Sequence, residues 1–195
     1  MTDFVCPPTG YHYDVPLIPQ PDKLSCWAAS MAMLVSYSQH ASRTPESLAQ
    51  EVGRSLRTSY SWDMLEEVKD HFGFKDIPLP SNASLYPPPE QWCQWLGTFG
   101  PLWVTTIGAP SHAIVVHGSQ GDLTPEGTMI EILNPWDTSQ TFSDDEIDFA
   151  PDNHGIAYTS TFQDFAADFG LLGLDNYGDW RVLYLPGTAS PPANE

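Results

Sequence analysis

Positive charge is scarce: seven Lys and Arg stand against 25 Asp and Glu, a formal charge of -18. A surface of that sign repels phosphate backbones and anionic lipid head groups, so neither nucleic acid nor a membrane surface is expected as a partner. The same excess suits solubility and attraction to a basic protein segment. Cysteine is also rare. Cys6, Cys26 and Cys93 make no C-x-x-C pair and no even-numbered framework, so disulfides are not expected to hold the fold. Cys93, His40, His71 and His154 lack partners at metal-ligand spacing and are expected in core or surface positions; no metal and no cofactor is assigned. Cys6 falls in a Pro-rich arm, open to solvent. No run of about 18 apolar residues occurs, and MTDFVCPPTGYHYDVPL lacks both a basic n-region and an apolar h-region. These absences lead to an expectation of synthesis in the cytoplasm without a signal peptide, any export using a specialised route.

What is present is enough to build a core. Hydrophobic residues make up 41% of the 195-residue chain and aromatics 12%, far above the composition of disordered segments. The length suits one domain, or two lobes packed across a cleft. Pro7, Pro8, Pro16, Pro19 and Pro21 mark residues 1–21 as extended rather than helical. The expected boundaries are an arm over 1–14, a domain over 15–186 and a disordered tail over 187–195. CWAASMAMLVSY, from Cys26, is apolar on nearly every side and predicts a buried central helix. Thr44-Pro45-Glu46 opens a second helix running to about Ser55. Ser61 opens a third, through Trp62, Leu65, Val68 and Phe72 to the Gly73 stop. Ile77–Pro89 reads as a Pro-rich connector and Glu90–Phe99 as a short aromatic helix. After Pro101 the texture changes to LWVTTI, HAIVVH, TMIEIL and WRVLYL, short β-branched runs between Gly, Pro and Asn that predict strands. A capping box at Ser143 and Glu146, stapled by Phe142 and Ile147, predicts an acidic helix before the last strand. The class is α+β, helical first and mainly sheet afterwards.

Chemistry concentrates at four positions. Cys26 opens the central helix, where partial positive charge favours a thiolate. Gln20, six residues upstream, can donate its amide N–H to an oxyanion that also meets the Cys26 backbone N–H. If the strands beginning at His112 and Thr128 form an antiparallel hairpin, partner numbers sum to about 246 and His112 pairs with Asn134, a shift of a residue or two following from any bulge. That pairing supplies a base whose ring is oriented by an amide, with Asp137 as the alternative orienter. His117, five positions on, belongs to the opposite face by strand alternation and is not the expected base. The negative field of the chain is expected to favour a thiolate–imidazolium pair. Taken singly, each residue has a plainer reading: Cys26 a small buried hydrophobe, His112 a structural histidine, Asn134-Pro135 a turn. Their joint placement carries the argument.

These blocks, Gln20 to Cys26-Trp27, then Gly100-Pro101-Leu102-Trp103-Val104, Ser111-His112-Ala113 and Asn134-Pro135-Trp136, resemble the ordered signature of papain-like cysteine proteases. VPLIPQPDKLSCWAASMAMLV is similar to the bacterial branch containing the short papain-like type III effectors of plant pathogens. The resemblance spans roughly residues 15–140. It implies a two-lobe papain-like fold, a helical lobe led by the Cys26 helix against a twisted antiparallel sheet. It also implies Gln20 as oxyanion donor, Cys26 as nucleophile, His112 as general base and acid, Asn134 as orienter and Trp136 shielding the His112–Asn134 contact. The expected activity is endopeptidase cleavage of a protein bound in the interlobe cleft. A secreted bacterial effector or toxin, with a cognate immunity or inhibitor protein, is the associated biology. Two alternatives stay open: another cysteine acyl chemistry (peptidoglycan amidase, deamidase or transglutaminase), and a catalytically inactive papain-like module that binds a partner.

Overall fold

The computed structural model describes residues 6–58, 61–77, 87–106, 112–137, 152–168 and 180–188. The connector over 78–86, the Ser143 capping box and the tail from 189 lie outside them. Within them the chain is α+β, with five helices and a seven-stranded antiparallel sheet.

The helices form where the caps and patterns require. Helix α1 spans Cys26–Gln39 and buries every residue from Cys26 to Ser36, which its apolar circumference demands. It ends on His40, in the left-handed conformation, with the cap N–H returned to the Ser36 and Tyr37 carbonyls. Helix α2, Pro45–Glu51, is opened by a reciprocal Thr44–Ser47 capping box and stops four residues short of the expected Ser55, with Val52 at its cap and Gly53 at φ 64°. Helix α3, Trp62–Phe72, has the expected bounds: the Ser61 side chain accepts from Met64 N, and Gly73 terminates it at φ 80°. Helix α4 is Pro89–Phe99 and α5 is Phe162–Asp168.

The strands are β1 Tyr11–His12, β2 Lys75–Asp76, β3 Leu102–Thr106, β4 His112–Gly121, β5 Thr128–Asn134, β6 Ile156–Thr161 and β7 Trp180–Tyr184. They run in the order β2-β7-β3-β4-β5-β6, with β1 pairing to β4. Helix α1 packs across β3 and β4. Trp103 Nε1 on β3 donates to Ser30 Oγ at 2.6 Å, and Ser30 Oγ donates to the Cys26 carbonyl at 2.6 Å, so one buried chain of hydrogen bonds fixes the start of α1 against the sheet. The remaining core gathers large aromatics: Trp92 packs edge-on against Trp95 at 5.2 Å and Phe165 at 5.1 Å.

Two cysteine expectations fail. Cys6 and Cys93 form a disulfide across 87 positions, Cα atoms 6.1 Å apart, so the arm is covalently tied to α4 and Cys6 is half-buried. Spacing in sequence could not show this, because the fold alone brings the two thiols together.

Candidate active site

The Cys26 thiol lies at the first residue of α1 and is 4% exposed. The Ala113 backbone N–H, one residue past His112 on β4, lies near enough to favour the thiolate, as do the N–H groups of Trp27 and Cys26 itself. The helix start and the β4 start therefore meet at the sulfur.

The His112 ring is oriented from its far side. Nε2 meets Asn134 Oδ1 at 2.8 Å, and the same oxygen accepts the Trp136 backbone N–H at 3.0 Å. An amide nitrogen cannot accept from Trp136, so the Asn134 oxygen is identified by this pair of contacts, and His112 must donate from Nε2. The neutral ring then keeps its lone pair on Nδ1, the tautomer a base needs.

The His112–Asn134 contact forms, though not by direct strand pairing. Thr128 faces Gly121 rather than Gly118, because β4 runs on to Gly121, four residues past the expected end at His117. A bulge between Val116 and Gly118 takes one residue back, so Val115 faces Leu133 and Val116 faces Ile132. Continuing that register sets Asn134 opposite Ile114, two residues from His112. The bond is a diagonal one, within reach of an Asn–His pair.

Electrostatics opposes the expected ion pair. Burial pushes the Cys26 thiol up to about 11, with nearby Asp22 adding to it and the three backbone N–H groups pulling against it. Burial also lowers His112 below 6.5, partly offset by the bond to Asn134. Both shifts run toward a neutral thiol and a neutral imidazole and away from the expected ion pair, because burial removes either charge from water. Among the described residues no hydrogen bond joins Cys26 Sγ to the His112 ring.

Gln20 is buried, at 3% exposure. Its Nε2 donates to the Asp22 carbonyl at 2.7 Å, leaving a second N–H, while Oε1 has no partner. Its backbone sits beside the Asn134 turn, with Gln20 N donating to Pro135 O at 2.9 Å. Asp137 is held through its backbone, whose N–H donates to Asn153 Oδ1 at 2.8 Å, and the His112 Nε2 partner is Asn134.

Asn153 was not singled out by sequence reasoning. Its Nδ2 donates to both Gln20 O and Pro135 O at 2.8 Å, and its Oδ1 accepts from Asp137 N and from Gly155 N. One amide thus uses all four of its hydrogen-bonding positions to bind the Gln20 segment to the Asn134–Asp137 turn. Gly155, at φ 64°, passes so close that a Cβ would stand 3.0 Å from the Asn134 carbonyl oxygen. The signal available in sequence was a bare Asn-His-Gly turn.

Comparison with family models adds a match over residues 9–145 to the model described as papain-like cysteine protease AvrRpt2. The chain belongs to this family. It is accordingly a cysteine-type peptidase, and the match encloses Gln20, Cys26, His112 and Asn134. No curated protein matches the chain. For a family of this chemistry, the arrangement offers a thiol at a helix start, a lone-pair nitrogen with its ring braced by Asn134, and a buried amide at Gln20 whose backbone is bound to the Asn134–Asp137 turn. His117 plays no part in that cluster: its Nδ1 is bonded to the Tyr13 carbonyl at 2.8 Å. His40, His71 and His154 are exposed.

Proposed function

We propose that this member of the family is an endopeptidase that cleaves a protein substrate through Cys26, His112 and Asn134, in a cleft between a helical lobe and a sheet lobe. The observation that carries the reading is the 2.8 Å bond from His112 Nε2 to Asn134 Oδ1, with the neighbouring Ala113 N–H close to the Cys26 thiol. His112 Nδ1 takes the thiol proton as Sγ attacks the scissile carbonyl, because the resting pair is neutral and proton transfer must accompany attack. The oxyanion is met by the Cys26 backbone N–H and the second N–H of Gln20. The imidazolium, its Nε2–H still on Asn134, returns the proton to the leaving amine, and the same ring activates water to hydrolyse the acyl-enzyme. Trp136, whose backbone is bound to the same Asn134 oxygen, screens that bond from water.

The effector character of the family supports a secreted bacterial protein acting in a target cell after export by a specialised system, with a cognate immunity or inhibitor protein. The test compares protein amino termini in bacterial and eukaryotic cells expressing wild type or Cys26→Ala. New termini sharing a motif and absent from the mutant are expected. An unchanged set, with the wild type folded and its thiol titratable, removes the endopeptidase reading.

A further inference from the structure

A second cluster lies on the sheet away from Cys26. His12 on β1 faces Gly118 on β4, and Gly118 faces Glu131 on β5, so these three stand in one row across three strands. Gly118 has no side chain, and a Cβ there would come 2.3 Å from Glu131 Oε2. That space lets His12 Nδ1 and Glu131 Oε2 meet over the central strand at 2.5 Å. His117, the residue at the bulge, joins them: its ring lies edge-on to His12 with centroids 5.3 Å apart.

We propose that His12, His117 and Glu131 form a binding site for a divalent transition metal of the zinc class. Two imidazoles and a carboxylate are the donor set that such ions prefer. One ligating atom from each residue lies within 4.8 Å of the others. A tetrahedral ion with bonds of about 2.0–2.1 Å needs ligands about 3.4 Å apart, a closure of up to about 1.4 Å that side-chain rotation supplies. The His12–Glu131 contact opens to the same spacing as the ion takes the place of the proton between them, and that proton is released. His117 is already prepared, because its Nδ1–H is held by the Tyr13 carbonyl and its Nε2 carries the lone pair, as in metal-bound histidines generally. Asp14 and Glu131 add negative charge around that ring. The His12 side chain is 63% exposed, which gives the ion a way in. A metal here would clip the amino-terminal arm, which leads to Gln20 and Cys26, onto β4 and β5.

The test uses tag-free, disulfide-intact Cys26→Ala protein, so that the active-site thiol cannot capture the ion. Titration calorimetry with ZnCl2 should show one equivalent bound with a Kd of about 10 µM or tighter, and CoCl2 should give the visible absorption of a four-coordinate ion. His12→Asn, His117→Asn and Glu131→Gln should each weaken binding at least tenfold, while His40→Asn leaves it unchanged. Zinc should raise the melting temperature of the parent protein and not of the three variants. His12→Asn changes an exposed residue, so it decides the matter if the more buried variants lose their melting transition. No saturable uptake at millimolar ZnCl2, or uptake that His12→Asn leaves intact, overturns the proposal.

Discussion

At the scale of single residues, the neutral Cys26–His112 pair has measurable consequences. Alkylation of Cys26 by iodoacetamide should stay slow at neutral pH and climb as pH approaches the thiol value of about 11; a plateau reached below pH 7 would show a resting ion pair instead. His112→Ala should lower kcat by roughly 10²–10⁴, the usual worth of a positioned acid–base group. Gln20→Ala should lower kcat by about 10²–10³ with little change in KM, as removal of an oxyanion donor does. The sequence made Gln20, Cys26, His112 and Asn134 legible because each sits at a chemical punctuation mark: a Pro-rich approach, a helix start, the head of an apolar strand, the end of its neighbour. Asn153 stayed hidden because its four hydrogen bonds all go to backbone atoms, which no side-chain pattern reports. Asn153→Ala removes the side-chain bonds to the Gln20 carbonyl and to the Asp137 and Gly155 N–H groups, while the Pro135 carbonyl keeps the Gln20 N–H. It should cost about 2–4 kcal/mol in denaturant unfolding and depress kcat even at temperatures where the variant remains folded; full activity in a destabilised variant would make its role purely structural.

At the scale of elements, legibility follows length and burial. The third helix was readable to the residue because Ser61 and Gly73 fix both ends, and the strands of the sheet centre were readable as apolar runs. β1 and β2, two residues each, are too short for any period to register. β6 escaped because IAYTST is half-wet and polar, with no apolar run to announce it. α5 did carry a signal: Thr161 caps it by accepting from Asp164 N, and Phe162, Phe165 and Ala166 are buried at helical spacing. The register of β4 against β5 illustrates a different limit. Hairpin arithmetic counts residues, whereas a bulge depends on contacts that only the folded sheet supplies. The helix carrying the thiol is tied to the sheet by Trp103, Ser30 and the Cys26 carbonyl, so Trp103→Phe should destabilise the protein by about 1–3 kcal/mol through a lost buried hydrogen bond, measured by urea unfolding.

At the scale of the whole molecule, four of the seven cations are held in local ion pairs. Arg43 pairs with Glu51, Arg54 with Glu67, and Lys69 and Arg181 share Glu66 and Asp76, with Arg181 also lying 4.4 Å over the Trp62 ring. The pH range of stability follows from the buried groups. His112 and His117 are lowered in the folded state, so the unfolded chain binds protons first as pH falls, and stability is lost below about 6.5. The Cys26 thiol is raised, so its contribution is complete below the ordinary value of 9.0 and is lost as pH climbs toward about 11. Thermal melts should therefore plateau between these limits, and His117→Gln should soften the acid edge. Reduction of the Cys6–Cys93 bond, which closes a loop across 87 positions, should lower stability by roughly 4–5 kcal/mol in the chain-entropy account. The same bond also makes residues 6–93 a covalent ring with the nucleophile inside it. A peptidase is exposed to its own activity, and a single autolytic nick within that ring would release no fragment: the two pieces would migrate as one band on a non-reducing gel and part only when a thiol reductant is added.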